Sequence, residues 1–387
     1  MTNKENIVCI SMTTWEGDYM KTIVHMMGRL AKTNQVLFVD YGFTWKDLIY
    51  TILGKTKAPI ARMLGFEPRL RTVLYKDNEV NHLTLPALLP INWIKNAGLH
   101  DYLLRLQMKW ISRYINKATN QLSMHEYVLI NAFNPIYGVG LNGLLIEKRC
   151  IYYCYDEISE AKWGRNHGGR LEHQFLQIVD QIVVTSSELR RTKSFLHSNV
   201  TLIENGVDFN FFHSSYPRLK INKRGVIGYL GSLDDRIDFE LLEELCGTMT
   251  NFDFLFVGRI QSTKSHRLER YHNTKLLGSV EIESIPKWLG QMDYGIIPFL
   301  CNTFNRNIYP LKINEYFAAG LPVISTPFSN LASFGNLVTV ADKASEFEQA
   351  IMANIKYQNK IERNRIAFAR QNDWSDRINK FNQLLND

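Results

Sequence analysis

Runs of β-branched and aromatic residues, each followed by a helical pattern, recur along the whole chain and leave few architectures open. They fall at 7–11, 36–40, 127–130, 151–155, 181–185 and 201–203, separated by helical patterns such as 18–31 and 171–178. Strand-then-helix repetition of this kind predicts a parallel sheet with crossover helices. A second series follows at 226–230, 254–257, 294–297, 323–325 and 338–340. The fold class is therefore α/β, with two doubly wound parallel-sheet domains. Their join is expected within 205–217, where "NGVDFNFFHSSYP" supplies turn residues and ends on proline. A length of 387 residues agrees, since a domain usually takes about 100–200.

Composition narrows the class further. With 45% hydrophobic and 21% charged residues, the chain is that of a globular protein in water. No apolar run approaches the roughly 18 residues of a membrane span, and the first residues lead straight into a strand, so neither span nor signal peptide is expected. The expected location is cytoplasmic. Cys9, Cys150, Cys154, Cys246 and Cys301 are odd in number and scattered, as reduced thiols are, and Cys150 with Cys154 lacks the second pair that a zinc site needs. The net charge of +7 is concentrated: residues 45–120 hold twelve Lys or Arg against five Asp or Glu. Large apolar residues interleave there, with Leu103, Leu104, Met108, Trp110, Ile111 and Tyr114 at helical spacing beside Arg105, Lys109 and Arg113. Such amphipathic helices suit an anionic membrane surface, with Lys55, Lys57 and Arg62 as contacts, or equally a helical insertion whose stripe is core. No nucleic-acid motif accompanies the basic residues, and no nucleic-acid partner is expected.

In open α/β sheets ligands sit outside the carboxyl ends of strands. Four loops there are informative: Thr13-Thr14-Trp15-Glu16-Gly17, Asp156-Glu157, Gly231 to Arg236, and 298–309. The first and third lead into helix N-termini, which favour anions. None matches G-x-G-x-x-G or the Walker pattern. The segment "PLKINEYFAAGLPVIST", residues 310–326, follows the fourth loop. Pro310 suits a helix start, Gly320 a left-handed stop, and Val323-Ile324 a buried strand, while Lys312 and Glu315 share one helical face. Spacing alone leaves that pair open to reading as an ordinary surface ion pair.

Taken together, "VDQIVVTSSELR", "IENGVDFNFF", "IGYLGSL", "FDFLFVG", "LLGSVEIESIPKWLGQMDYGIIPF" and the 310–326 segment occur in an order that resembles GT-B glycosyltransferases. The likeness is to the GT4-like group of teichuronic-acid and other polysaccharide-assembly transferases, and covers the chain from about 125 onward. It implies two Rossmann-like domains facing a cleft: 1–212 for the acceptor, 213–372 for the nucleotide-sugar, and 373–387 as a helix returning to the first domain, capped by Ser375. It implies transfer of a sugar from a nucleotide-sugar, UDP-linked as is commonest, to a hydroxyl of a saccharide or polyprenyl-linked saccharide at the inner face of the plasma membrane. No metal or other cofactor is expected. Donor contacts carried over are Gly231, Ser232, Arg236, Arg259, Lys312 and Glu315, with Glu315 on the ribose and Lys312 catalytic at the diphosphate. Asp156 resembles the catalytic aspartate of the glucuronosyltransferase of xanthan assembly and is the candidate base, Glu157 the alternative. Trp15 and Gly17 are acceptor-side candidates, with Tyr19 a further ring that could stack on a sugar. The chain departs from the group in two places. Asn307 stands where a second glutamate is usual, and Gly231-Ser232 replaces the usual Gly-Arg, leaving Arg236 or Arg306 to assist. A non-catalytic binding protein or a sugar-nucleotide epimerase on the same fold are the alternative functions.

Overall fold

Parallel pairing dominates both sheets because their strands are apolar on both faces and must be covered by helices on each side. A computed structural model describes every residue except 1–3, 18–20, 159–163, 165, 217–223, 355–357 and 387. Tyr19 and the stretch from Pro217 to Lys223 lie outside the described residues. The chain divides into two units, 1–204 with 378–387, and 205–377.

The first unit holds β1 (Asn6–Ser11), β2 (Gln35–Val39), β3 (Leu70–Tyr75), β4 (Asn78–Leu83), β5 (Val128–Ala132), β6 (Arg149–Cys154), β7 (Gln181–Val184) and β8 (Val200–Leu202). Their spatial order is β3-β4-β2-β1-β5-β6-β7-β8. Every pairing is parallel except β3 with β4, an antiparallel hairpin. This hairpin interrupts the basic, apolar region read as helical at about 45–120. Helices Trp45–Ile52, Ile60–Leu64 and Ala97–Gln121 do form there, but Leu70–Leu83 extends the sheet. On the long helix, Leu104, Met108, Ile111 and Ile115 enter the core with Val8, Ile10, Leu37 and Val39 from the strands. Each such buried side chain contributes about 1.5–3 kcal/mol. Trp110 stays exposed, so the stripe is split between core and surface.

The last helix, Trp374–Asn386, ends within the first unit: Phe381 lies edge-on to Tyr153 at 5.9 Å, and the Leu384 carbonyl accepts from Arg149 at 3.0 Å. Its start is capped by Asp373 and not by Ser375. The Asp373 carboxylate accepts from both the Ser375 amide, at 2.8 Å, and its hydroxyl, at 2.6 Å.

The second unit holds β9 (Gly225–Leu230), β10 (Phe252–Val257), β11 (Thr274–Leu276), β12 (Tyr294–Ile297), β13 (Val323–Ser325) and β14 (Val338–Val340). Their order is β11-β10-β9-β12-β13-β14, parallel throughout. The chain builds outward from β9 to β11, then crosses to β12 on the other side. The crevice between β9 and β12 is thus the topological switch point, where an open α/β sheet receives its ligand.

Candidate functional site

Two elements meet at that switch point. The first is the turn after β9, where Gly231 takes φ +148°, a conformation that disfavours any side chain. A Cβ on Gly231 would lie 2.3 Å from Cε of Lys312 and 2.8 Å from its Nζ, so bare backbone stands beside that ammonium and a side chain here would displace the lysine's flexible end. Behind it Gly258, at φ +145°, touches the Gly231 carbonyl so closely that a Cβ would stand 2.1 Å from the oxygen. The second element is the helix Leu311–Ala318, which buries Ile313, Tyr316 and Phe317 and leaves Lys312 and Glu315 half-buried. Gly320, at φ +72°, ends it and turns the chain into β13.

The Lys312 and Glu315 side chains make no hydrogen bond or ion pair among the described residues, with each other or with anything else. Their surroundings nonetheless press on both. Burial pulls the Lys312 ammonium below the usual lysine range, offset in part by Glu315, and pushes the Glu315 carboxyl up, offset in part by Lys312. Two enclosed charges without protein partners are costly to keep unless something else meets them.

The remaining donor-side candidates are committed to the protein. Arg236 closes a two-pronged ion pair on Asp234, at 2.6–3.1 Å, and its guanidinium lies 5.5 Å from the Phe299 ring centroid. Arg259 donates to the Ser232 hydroxyl at 3.4 Å, and the Tyr229 hydroxyl donates to the Ser232 carbonyl at 3.1 Å, which together fix the turn. Arg306 is exposed. Asn307, in place of a second glutamate, is buried and donates to the Thr303 carbonyl at 2.9 Å, supporting its own turn.

In the first unit, Asp156 follows β6 and is half-buried; its carboxylate accepts from the Glu157 amide at 2.9 Å, as a turn cap does. Glu157 is drawn toward Lys193 at 3.2 Å, which also holds buried Glu172 at 2.7 Å. Burial raises the Glu172 carboxyl despite Lys193 beside it, and Tyr152 donates to it at 2.8 Å. Trp15 packs into the protein, its ring edge-on to Phe38 at 5.1 Å and to Tyr75 at 6.5 Å. Gly17 is exposed at φ +150°, close to Lys21, whose ammonium gathers the Thr14 and Glu16 carbonyls. Arg62 corrects an expectation: it is buried and donates to Glu16 at 2.9 Å, beside a second contact from Arg71, and is no surface contact. Both guanidiniums hold the Glu16 carboxyl below its usual range against the cost of its burial.

Sequence reasoning missed a cavity of about 570 Å³ in this unit, with Met12, Tyr41 and Asn134 just past the carboxyl ends of β1, β2 and β5, and Asp47, Gln107 and Tyr137 in its walls. The Tyr41 and Tyr137 hydroxyls make no hydrogen bond among the described residues, and burial pushes both phenols up, so they stay neutral donors. Only the tyrosine after β2 had a sequence signal, its place at a strand end.

Residues 224–356 match the family described as Glycosyl transferases group 1. The chain is 26% identical over 167 residues to a Bacillus subtilis (strain 168) protein, TuaH, a teichuronic acid biosynthesis glycosyltransferase by name. The aligned part is 40% of this chain and 42% of that relative. Among solved structures it is similar to an α,α-trehalose-phosphate synthase (UDP-forming) from Burkholderia xenovorans in complex with glucose-6-phosphate (TM-score 0.72, 11% identity, 99% and 100% of the two chains). A sucrose-phosphate synthase from Thermosynechococcus elongatus gives 0.69 at 12% identity, over 98% of both chains. Anabaena HepE in complex with UDP gives 0.62 at 12% identity, over 98% and 99%. The fold is that of the GT-B glycosyltransferases.

Proposed function

Starting from a GT-B fold whose second unit carries a glycosyl transferases group 1 segment, we propose that the protein moves a sugar from a UDP-linked donor to a hydroxyl of a saccharide or lipid-linked saccharide in cell-surface polysaccharide assembly. The observation that carries the reading is the pair Lys312 and Glu315, enclosed and without hydrogen-bond partners, one of them against the bare Gly231 backbone. Glu315 accepts from the ribose hydroxyls, a charge-assisted contact. Lys312 faces the diphosphate, where it stabilises the charge left when the bond from the anomeric carbon to the phosphate oxygen breaks. That electrostatic role needs no metal ion. The electron pair leaves with UDP, the acceptor oxygen bonds to the anomeric carbon, and its proton goes to Asp156. The phenols of Tyr41 and Tyr137 offer hydroxyl contacts to a saccharide in the first unit's cavity.

UDP as donor is supported by the neighbour solved with it and by the UDP-forming synthase. A role in surface polysaccharide is supported by the TuaH name. Among the described residues no helix is long and apolar enough to cross a membrane. The helix Trp45–Ile52 exposes Trp45, Ile49 and Ile52, followed by exposed Leu53, Lys55 and Lys57, which suits peripheral contact with the anionic inner leaflet. Thermal shift against UDP, ADP and GDP tests the donor reading, because a ligand of the native state raises its apparent stability. A rise with UDP is expected, followed by UDP release from a UDP-sugar; no response to any nucleoside diphosphate overturns it.

A further inference from the structure

One side chain on the donor helix stands where the β-ladder should continue. Between β9 and β12 the pairing covers Ile227 with Tyr294 and Gly228 with Gly295, and goes no further. Yet β9 runs on to Leu230, which still pairs with Val257 of β10 on its other edge. The phenol of Tyr316 fills the gap. Its hydroxyl accepts from the Leu230 amide at 2.8 Å and donates to the Ile296 carbonyl at 3.5 Å. One O–H group thus relays what would be a direct N–H to C=O bond, and the two strands part around it. Space for the ring exists because residue 295 is glycine: a Cβ there would lie 2.7 Å from the Tyr316 ring. Tyr316 is fully buried, which holds the phenol neutral and able to donate and accept at once.

The parted strands border the switch point itself, and the residue after Leu230 is Gly231, whose Cα stands against Lys312. We infer that Tyr316 is a positioning residue: it props the β9–β12 crevice open and holds the Gly231 peptide at the Lys312 ammonium, so that a diphosphate meets both together. The inference rests on the reading of Lys312 as the diphosphate contact. Tyr316→Phe keeps the wedge and removes the relay, leaving the buried Leu230 amide without its acceptor.

Calorimetric titration of UDP into the wild type, Tyr316→Phe, Lys312→Ala and the double variant tests this. Tyr316→Phe should weaken UDP about tenfold. Because both residues act on one contact, the double variant should lose far less than the product of the two single losses. As a control, Phe317→Leu on the same helix, packed instead against Phe334 and Phe368, should lower Tm and leave UDP affinity alone. If Tyr316→Phe does not fold, Gly295→Ala presses on the ring from β12 and should weaken UDP in the same way. UDP affinity within twofold of wild type, or losses that multiply, overturns the role of Tyr316 alone. A wild type that does not bind UDP removes the donor reading and this role with it.

Discussion

Replacing Lys312 by Met and Glu315 by Gln together should stabilise the unliganded protein while disabling its donor site. A lysine whose folded pKa is depressed contributes stability above its unfolded value and loses it as pH falls through the folded one. A glutamate whose folded pKa is raised contributes below its unfolded value and loses it as pH rises through the folded one. The charged form of each group is thus held in the folded protein at a cost that their mutual attraction offsets only in part. Exchanging such a pair for neutral side chains of similar volume gains about 1–4 kcal/mol. With roughly 2–4 °C per kcal/mol in a domain of this size, Tm should rise by about 2–16 °C. Lys312→Met alone should gain less, because it leaves Glu315 without its attracting cation. On the ligand side, two charge-assisted contacts of about 1.5–3 kcal/mol each are lost. The Kd for UDP should therefore rise by about 10²–10⁴-fold. Scanning fluorimetry without ligand and calorimetry with UDP measure the two halves. A double variant less stable than wild type, or one binding UDP as well, refutes the argument.

Asp156→Asn should cut transfer by about 10²–10⁴-fold with UDP affinity unchanged, and equal turnover would remove it as the base. Lys55→Glu with Lys57→Glu should reduce co-sedimentation with anionic vesicles by about 1 kcal/mol per residue or more, an effect that fades with salt; equal recovery on neutral and anionic vesicles contradicts a membrane role. His100 stacks on His167 at 4.0 Å and faces Asp101 and Arg170; burial lowers its pKa, so its stability contribution is present above the usual 6.5 and lost as pH falls through the lowered value. Urea midpoints should therefore drop on acidification through this range, and His100→Gln should flatten the drop; an unchanged slope in the variant rules His100 out as its source.

The buried parallel strands were legible because continuous apolar runs such as Ile7–Ile10 and Phe254–Val257 have no other use in a chain of this composition. The helix Leu311–Ala318 was legible for a different reason, since Gly320 marks its stop and the charges of Lys312 and Glu315 break an otherwise buried pattern. The hairpin was not. β3 mixes half-exposed and exposed residues, β4 holds a half-buried Asn81 and a fully buried His82, and the hairpin turn rests on Lys76 at φ +52° in place of a glycine. Buried polar groups were equally invisible: Arg62 looks like any surface cation until Glu16, 46 residues earlier, is brought to it, and His82 until Asp40 lies 3.1 Å away. Tyr316 looks like core filler, because its work depends on a gap between two strands that local pattern does not encode.

The contact of Gly258 with the Gly231 carbonyl ties the loops after β9 and β10 into one steric unit. A methyl at 258 would fit only by moving the Gly231 backbone in front of it, although residue 258 follows a separate strand. A larger residue at 258 therefore acts on Lys312 at second hand, by displacing the Gly231 backbone that stands against it.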